Sequence, residues 1–188
     1  MPIWFFTTAN IYNMPLNYEF KAHAFDIEKF EKILLGLHPQ FVGTDHQVDT
    51  YFNTAHGRLK LREGNIENAL IHYHRINTAG ARQSDVTIYP CEAGHSLKQI
   101  LTNALGVKVV VDKKRKIYYL NNVKFHFDSV EGLGHFVEVE AIDKDGSISI
   151  ETLKEQCNVY AQLFQLNEQD YIAESYSDML LVKKSSTI

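Results

Sequence analysis

Residues 123–141 read VKFHFDSVEGLGHFVEVEA, and charged and apolar side chains alternate in two runs of this stretch. Side chains of a β-strand alternate between its two faces. Lys124, His126 and Asp128 therefore share one face, while apolar residues occupy the other. The glycines at 132 and 134 lead into a second alternating run, in which Glu138 and Glu140 alternate with valines. The stretch predicts two antiparallel strands, each with one apolar and one charged face.

Three other segments show the same alternation of charged and apolar side chains. The members that share a charged face are Asn17, Glu19, Lys21 and His23 in residues 16–24, and Lys60 and Arg62 in residues 58–63. In residues 107–120, Lys113 and Arg115 continue the face of two valines, at 109 and 111. Lys114 and Lys116 point the other way, so the pattern of that strand is less informative.

The remaining chain completes an α+β pattern of about eight strands. Further strands are predicted over about 41–53, 69–75 and 84–89, and the short turns between strands favour antiparallel pairing. Helices are predicted over 27–37, 96–105, 149–166 and 168–182, the first capped by Asp26. We expect a single domain over residues 16–183. Residues 1–15 are interpreted as an N-terminal extension: Met14 is a candidate natural start, and an ordinary packing arm is the equal alternative.

Composition excludes several classes of function. The chain has 188 residues, of which 45% are apolar, and this favours one globular domain with a real core. A net charge of −4 gives no overall attraction to nucleic acid or to an anionic membrane. No apolar run approaches the ~18 residues of a membrane helix, and the N-terminus makes a poor signal peptide. Cys91 and Cys157 lie far apart, which favours reduced thiols and a cytoplasmic protein.

Alternating charge usually marks a sheet face that is exposed to water. Here the pattern recurs in at least four strands, and the sign of the charge differs between strands. It is basic at 60 and 62, acidic at 138 and 140, and mixed at 19 and 21. A solvated face would more often mix the signs within a strand and include Ser, Thr and Gln. We therefore interpret the charged faces as a concave surface that binds a charged ligand.

A triphosphate with a divalent metal fits this mixture of charges. Arginine forms forked hydrogen bonds to phosphate oxygens, and lysine supplies a compact point charge. Carboxylates would repel phosphate unless they hold Mg²⁺ or Mn²⁺, which prefer oxygen ligands. The metal would then bridge carboxylate and phosphate and neutralise charge that develops during the reaction.

Other kinds of site have less support in the sequence. No stretch matches a Walker loop or a dinucleotide-binding glycine motif, and the glycines at 132 and 134 lack the context of either. His72 and His74 have strand spacing and could bind zinc, but no third ligand is evident. Ordinary strand histidines are the favoured reading, and packing is favoured for both cysteines.

These motifs together resemble the CYTH superfamily, which unites class IV adenylate cyclases with thiamine and inorganic triphosphatases. The hallmark Glu-x-Glu-x-Lys reads here as residues 17–21, NYEFK. Further matches follow in the family's order: residues 49–52, 57–62, 73–75, 84–85, 113–115 and 127–140. The branch of class IV cyclases is the most similar. One motif alone would be weak, but the ordered set runs from about residue 16 to residue 180.

The resemblance implies a closed antiparallel barrel of eight strands, with flanking helices around a charged tunnel. It implies triphosphate binding by Lys21, Lys60, Arg62, Lys113 and Arg115, with Arg75 and Arg82 as further candidates, and a catalytic role for Lys21. It implies Mg²⁺ or Mn²⁺ ligation by Glu19, Glu138 and Glu140, assisted by Asp128. The first hallmark glutamate is Asn17 here. Because an amide keeps an oxygen ligand without its charge, we expect a weaker or single-metal site.

Three functions stay open on this basis. The first is cyclisation of ATP to cyclic AMP and pyrophosphate, toward which the branch resemblance tilts. The second is hydrolysis of thiamine triphosphate or inorganic tripolyphosphate. The third is binding of a nucleotide or polyphosphate without catalysis, which Asn17 supports. The expected partner is a small triphosphate, with neither nucleic acid nor membrane, and a homodimer is left open.

Overall fold

Eight strands form one sheet in the computed structural model, which describes residues 16–74, 85–92 and 94–186. In chain order they are β1 (Leu16–His23), β2 (Gln40–Phe52), β3 (Arg58–Glu63), β4 (Ala69–His74), β5 (Asp85–Pro90), β6 (Val107–Leu120), β7 (Val123–Val130) and β8 (Gly134–Asp143). Each strand pairs antiparallel with its neighbours.

The order of the strands across the sheet is β1-β8-β7-β6-β2-β3-β4-β5. The sheet curls strongly into a half-barrel, and no ladder joins β1 to β5 among the described residues. The predicted α+β fold of eight antiparallel strands with flanking helices is confirmed. Local turn chemistry supports it: Asn121, with a φ of 54°, makes the tight turn between β6 and β7.

The outer face of the sheet is apolar at β1, β7 and β8, where helices cover it. These are α1 (Ile27–Leu35) and α3 (Ile150–Leu163), while α2 (His95–Leu105) links β5 to β6. The apolar members of β7 and β8 are buried there with residues of both covering helices: Phe125, Phe127, Val137, Val139, Leu34, Leu153 and Phe164. Burial of these alternate residues leaves the charged residues between them on the inner face.

The last helical prediction, a single helix over about 168–182, is wrong. A short 3₁₀ helix covers Glu168–Asp170, the chain is then extended, and α4 covers Tyr176–Ser185. Tyr171 pairs with Ala22 of β1, and the backbone N–H of Ile172 donates to the carbonyl of Lys21 at 2.9 Å. The extended segment around Tyr171 and Ile172 does not continue as a helix, because it pairs with the otherwise open edge of β1.

Helix α4 begins at a capping box and packs over the inner face of the sheet. Ser175 caps the helix, and its side chain accepts a hydrogen bond from the backbone N–H of Asp178. The ring of Tyr176 lies 4.8 Å from the ring of Phe136 and shares a core cluster with valines of β6. In the part of the chain that the structure describes, every helix is too short or too polar to cross a membrane.

Candidate active site

The inner face of the half-barrel forms a cavity of about 570 Å³. This volume lies within the range of ~300–1,000 Å³ that is typical of sites for small-molecule ligands. All eight strands contribute to its wall, and Ser175 and Tyr176 add to it from the start of α4. Most of the ionisable residues on the wall are more than four-fifths buried, so their charges act in a medium of low dielectric constant.

Asp49 of β2 holds three cations of the wall together. Its carboxylate accepts hydrogen bonds from Lys60 at 2.9 Å, from Lys113 at 2.8 Å and from Arg62 at 2.8 and 3.1 Å. Burial raises the pKa of Asp49, but the charges of Lys113, Lys60 and Arg62 outweigh burial and hold the pKa well below its usual range. The carboxylate is therefore ionised, and it is shared by three basic side chains.

Lys113 shows the consequence of that excess of positive charge. Burial, together with the charges of Arg62, Arg115 and Lys60, lowers the pKa of Lys113 to about 7, although Asp49 opposes the shift. An anion that enters the cavity would favour the protonated amine again. The lowered pKa reflects burial first and the neighbouring cations second.

Arg115 is fixed by a carboxylate that lies behind it. Both oxygens of Asp128 accept from the guanidinium, at 2.7 and 2.6 Å, and the hydroxyl of Tyr176 donates to Asp128 at 2.8 Å. The same guanidinium donates to Glu138 at 2.8 Å. Asp128 is fully buried and does not line the cavity. Its geometry favours orienting Arg115 over ligating a metal.

A second carboxylate, Glu67, links a cation of β3 to a cation of β7. It lies in the β3–β4 turn and accepts from Arg62 at 2.9 Å and from Lys124 of β7 at 2.7 Å. Gln47, which is fully buried, supports it with a further hydrogen bond at 3.0 Å. These contacts cross the cavity, so they hold β3 and β7 at a fixed separation.

Carboxylates dominate the wall at β1 and β8. Cross-strand pairing places Glu19 opposite Glu140, and Lys21 opposite Glu138. Burial and the neighbouring carboxylates of Glu138 and Glu19 raise the pKa of Glu140 to about 8. The amine of Lys21 lies 4.4 Å from the ring centroid of Tyr176 and donates to the carbonyl of Glu174. This acidic wall lies across the curled sheet from the cations held by Asp49.

The acidic wall has the donors that a divalent cation requires. Ligand atoms of His126, Glu138 and Glu140 lie within 4.8 Å of one another. The side-chain oxygen of Asn17 is buried on the cavity wall and has no hydrogen-bond partner among the described residues. A cation here would relieve the repulsion between the carboxylates, and Asn17 lies on the same face of β1 as Glu19, which is opposite Glu140. The residues present therefore fit a Mg²⁺ or Mn²⁺ site.

His126 was not among the predicted ligands. Its Nδ1 lies 3.2 Å from Glu138 and 3.5 Å from Glu140. Burial and the charge of Arg115 lower the pKa of His126 to about 4, so the ring is neutral near pH 7. A neutral imidazole can ligate a metal, and its presence beside carboxylates suits Mn²⁺ as well as Mg²⁺.

The structure brings most of the predicted site residues to this one cavity. On its wall lie Glu19, Lys21, Lys60, Arg62, Lys113, Arg115, Glu138 and Glu140. Asp128 lies behind Arg115, as described above. Arg75 and Arg82 fall outside the residues that the structure describes.

Sequence reasoning missed several residues that shape the site. They are Asp49, Glu67, Lys124, His126 and Tyr176. Lys124 and His126 carried a signal, because they alternate with apolar residues on the same strand as Asp128. Asp49 lies in a segment that matches the family, but its three partners come from two other strands. Glu67 lies in a turn and Tyr176 in a helix, where strand alternation gives no information.

A scan against protein families matches residues 15–176 to the CYTH domain. No curated protein matches the sequence of the chain. Among solved structures, a protein of Pyrococcus horikoshii OT3 is similar with a TM-score of 0.72 and 23% identity, over 88% of this chain and 98% of that one.

Two further similar structures carry a description of activity. A candidate adenylate cyclase from Vibrio parahaemolyticus has a TM-score of 0.70 and 20% identity, over 88% of this chain and 98% of that one. A candidate adenylyl cyclase from Hippeastrum with dominant triphosphatase activity has a TM-score of 0.59 and 14% identity, over 92% of this chain and 96% of that one. At these identities the likeness shows the fold.

The lowered pKa of Lys113 predicts how triphosphate affinity depends on pH. Below about pH 7 the amine of Lys113 is already protonated. Above about pH 7 the amine must take up a proton when the ligand binds. Affinity for tripolyphosphate should therefore fall with rising pH, by up to about tenfold per unit for this group. Calorimetry at pH 6, 7, 8 and 9 measures it. Lys113→Met should flatten the profile, and Lys114→Met, exposed on the opposite face of β6, should not. Identical profiles for the wild type and Lys113→Met would contradict the assignment.

Proposed function

Because the chain belongs to the CYTH domain family, we propose that it is a divalent-metal-dependent enzyme that acts on a triphosphate. The observation that carries the proposal is the buried cluster in which Asp49 faces Lys60, Arg62 and Lys113. Its excess positive charge favours an anion, and a triphosphate supplies several adjacent negative groups. Buried cations that outnumber their carboxylate partners are costly, so they favour a further counter-charge.

Each cation has a separate part in holding the triphosphate. Arg62 and Arg115 have orientations fixed by carboxylates, so their remaining N–H groups can donate to phosphate oxygens without further ordering. Lys60 and Lys113 supply point charges beside them. Lys21, on the border with the acidic wall, is proposed to stabilise the charge that develops on the reacting phosphate.

Glu19, Glu138 and Glu140 are the residues proposed to hold Mg²⁺ or Mn²⁺, with Asn17 and His126 as additional donors. When bound, the ion would neutralise phosphate charge and make the phosphorus more open to attack. The acidic wall and the cluster around Asp49 face the same cavity, so this chain's own side chains can bind both parts of a metal–triphosphate complex. Asp128 is proposed to act through Arg115, which it orients.

The first candidate reaction is cyclisation of ATP. The ribose 3′-oxygen attacks the α-phosphorus, a new P–O bond forms, and the bond from the α-phosphorus to the bridging oxygen breaks. Pyrophosphate leaves with the electron pair, and the 3′-hydroxyl proton passes to solvent. Lys60, Lys113 and the two arginines would stabilise the charge that grows on the leaving pyrophosphate. The similar fold of the Vibrio candidate cyclase supports this assignment.

The second candidate reaction is hydrolysis of the terminal phosphate. Water attacks the γ-phosphorus, the bond to the β-bridging oxygen breaks, and phosphate and a diphosphate are released with one proton. The same cations would bind the substrate in both reactions. The reactions differ in which phosphate faces the acidic wall: the α-phosphate in cyclisation and the γ-phosphate in hydrolysis. The Hippeastrum structure, whose dominant activity is that of a triphosphatase, supports this alternative.

Product analysis separates the candidates. The protein is incubated with ATP, thiamine triphosphate or tripolyphosphate, each with Mg²⁺ and with Mn²⁺, and the products are separated by ion-exchange chromatography. Cyclic AMP with pyrophosphate indicates cyclisation, whereas free phosphate indicates hydrolysis. Arg62→Met should reduce either activity at least tenfold, and Lys116→Met, on the outer face of β6, should leave it unchanged. No product from any substrate with either ion would contradict an enzymatic function.

Asn17 gives a direct test of the acidic wall. Its side-chain oxygen is buried without a partner, so Asn17→Glu would add a carboxylate beside Glu19 and Glu140. We expect the Mg²⁺ concentration for half-maximal activity to fall by about tenfold, equivalent to ~1.4 kcal/mol. Asn17→Gln has the length of glutamate without its charge and is the matched control. Superimposable Mg²⁺ titrations of these two variants would remove the residue from the metal site.

A further inference from the structure

The connection between β3 and β4, residues 64–68, is held against the inner face of β2. Asp45 lies on that face, because every second residue of a strand shares a face and Asp49 of the same strand lines the cavity. The carboxylate of Asp45 is fully buried and accepts hydrogen bonds from the backbone N–H groups of Ile66 at 2.9 Å and Glu67 at 3.0 Å. A side chain of β2 therefore fixes the backbone that carries Glu67.

Two glycines allow this close approach. A Cβ atom at Gly64 would lie 2.7 Å from the carboxylate of Asp45 and 2.7 Å from the carbonyl oxygen of Glu67. A Cβ atom at Gly43 of β2 would lie 2.7 Å from the side chain of Ile66. These distances are shorter than van der Waals contact, so the connection packs on β2 without space for a larger residue at either position.

The carboxylate of Glu67 consequently has a fixed position in the cavity. One oxygen accepts from Arg62 at 2.9 Å and from the buried amide of Gln47 at 3.0 Å, and the other accepts from Lys124 at 2.7 Å. Gln47 also donates to Asp45 at 2.8 Å. Burial raises the pKa of Glu67, but the charges of Lys124 and Arg62 outweigh burial and hold the pKa well below its usual range. Glu67 therefore carries a negative charge near pH 7.

Glu67 interrupts the row of cations that begins on β3. Lys60 and Arg62 share the inner face of that strand and both bind Asp49. Lys124 of β7 continues the row beyond Arg62, but Glu67 lies between these two cations and is paired with both. A chain of phosphates that is bound on Lys60 and Arg62 therefore meets a carboxylate at this end. Like charges repel more strongly in a buried site than in water.

We propose that Glu67 is a specificity-determining residue that limits the length of the phosphate chain, so that the site excludes linear chains of four or more phosphates. The inference rests on the proposed function, because it takes Lys60 and Arg62 as phosphate-binding residues. Asp45 is a positioning residue, since it acts by holding the backbone of Glu67. A carboxylate on an untethered loop could turn away from a longer ligand, whereas the backbone and both carboxylate oxygens of Glu67 are held.

The test compares two inorganic ligands that differ by one phosphate. Dissociation constants of linear tripolyphosphate and linear tetrapolyphosphate are measured by calorimetry in EDTA, at one pH and one salt concentration. The readout is the ratio of the two constants, because a general loss of structure weakens both ligands together. Glu67→Gln removes the charge and keeps the shape of the side chain. Glu63→Gln is the matched control, because Glu63 also lies on β3 but pairs with Lys98 at 2.7 Å and does not line the cavity.

We expect the wild type to bind tetrapolyphosphate about tenfold more weakly than tripolyphosphate, because the fourth phosphate lies beside Glu67. Glu67→Gln should largely abolish this difference, and Asp45→Asn should reduce it, whereas Glu63→Gln should leave it unchanged. Equal binding of both ligands by the wild type, or the same ratio in the wild type and in Glu67→Gln, would overturn the inference.

Two further outcomes are distinguished from these. If Glu67→Gln does not fold by circular dichroism, Glu67→Ala is measured in its place and judged by the same ratio. Failure of the wild type to bind tripolyphosphate at all would overturn the proposed function, whereas a wild type that binds tripolyphosphate and tetrapolyphosphate equally would overturn only the role of Glu67.

Discussion

The site depends on the carboxylate of Asp49, which is buried and shared by Lys60, Arg62 and Lys113. Three cations cannot stay buried side by side without a counter-charge, because desolvation and mutual repulsion both oppose it. Asp49 fixes their positions, and Glu67 adds a second carboxylate at Arg62, but Glu67 is shared with a further cation, Lys124, so cations still outnumber carboxylates. The cluster is thereby held in place and still short of negative charge, which is the condition for binding a polyanion with little reorganisation.

The curl of the sheet turns this local imbalance into a binding site. It sets the Asp49 cluster across the cavity from Glu19, Glu138 and Glu140, whose own repulsion raises the pKa of Glu140 to about 8. Each wall lacks what the two parts of a metal–triphosphate complex supply. In the Asp49 cluster cations outnumber carboxylates, and on the acidic wall neighbouring carboxylates repel one another.

Strand alternation is a local property, so the sequence predicts the inner face of most strands. Lys60, Arg62, Glu138 and Glu140 follow directly from it, and the structure places all four on the cavity wall. The pairing of strands that lie far apart in the sequence does not follow from local alternation. The three partners of Asp49 are set by pairing between strands, and the helix expected over 168–182 gives way to pairing with the edge of β1. Tertiary contacts decide such positions, and a single sequence does not contain their geometry.

The buried excess of cations should select a chain of three phosphates, and calorimetry with inorganic ligands measures this selection. Orthophosphate, pyrophosphate and tripolyphosphate are titrated into the wild-type protein at one pH and one salt concentration. We expect a single saturable site. Its affinity should rise by at least tenfold from orthophosphate to tripolyphosphate, because more charge-assisted hydrogen bonds form. Equal affinity for all three ligands, or no saturable binding of tripolyphosphate, would contradict it.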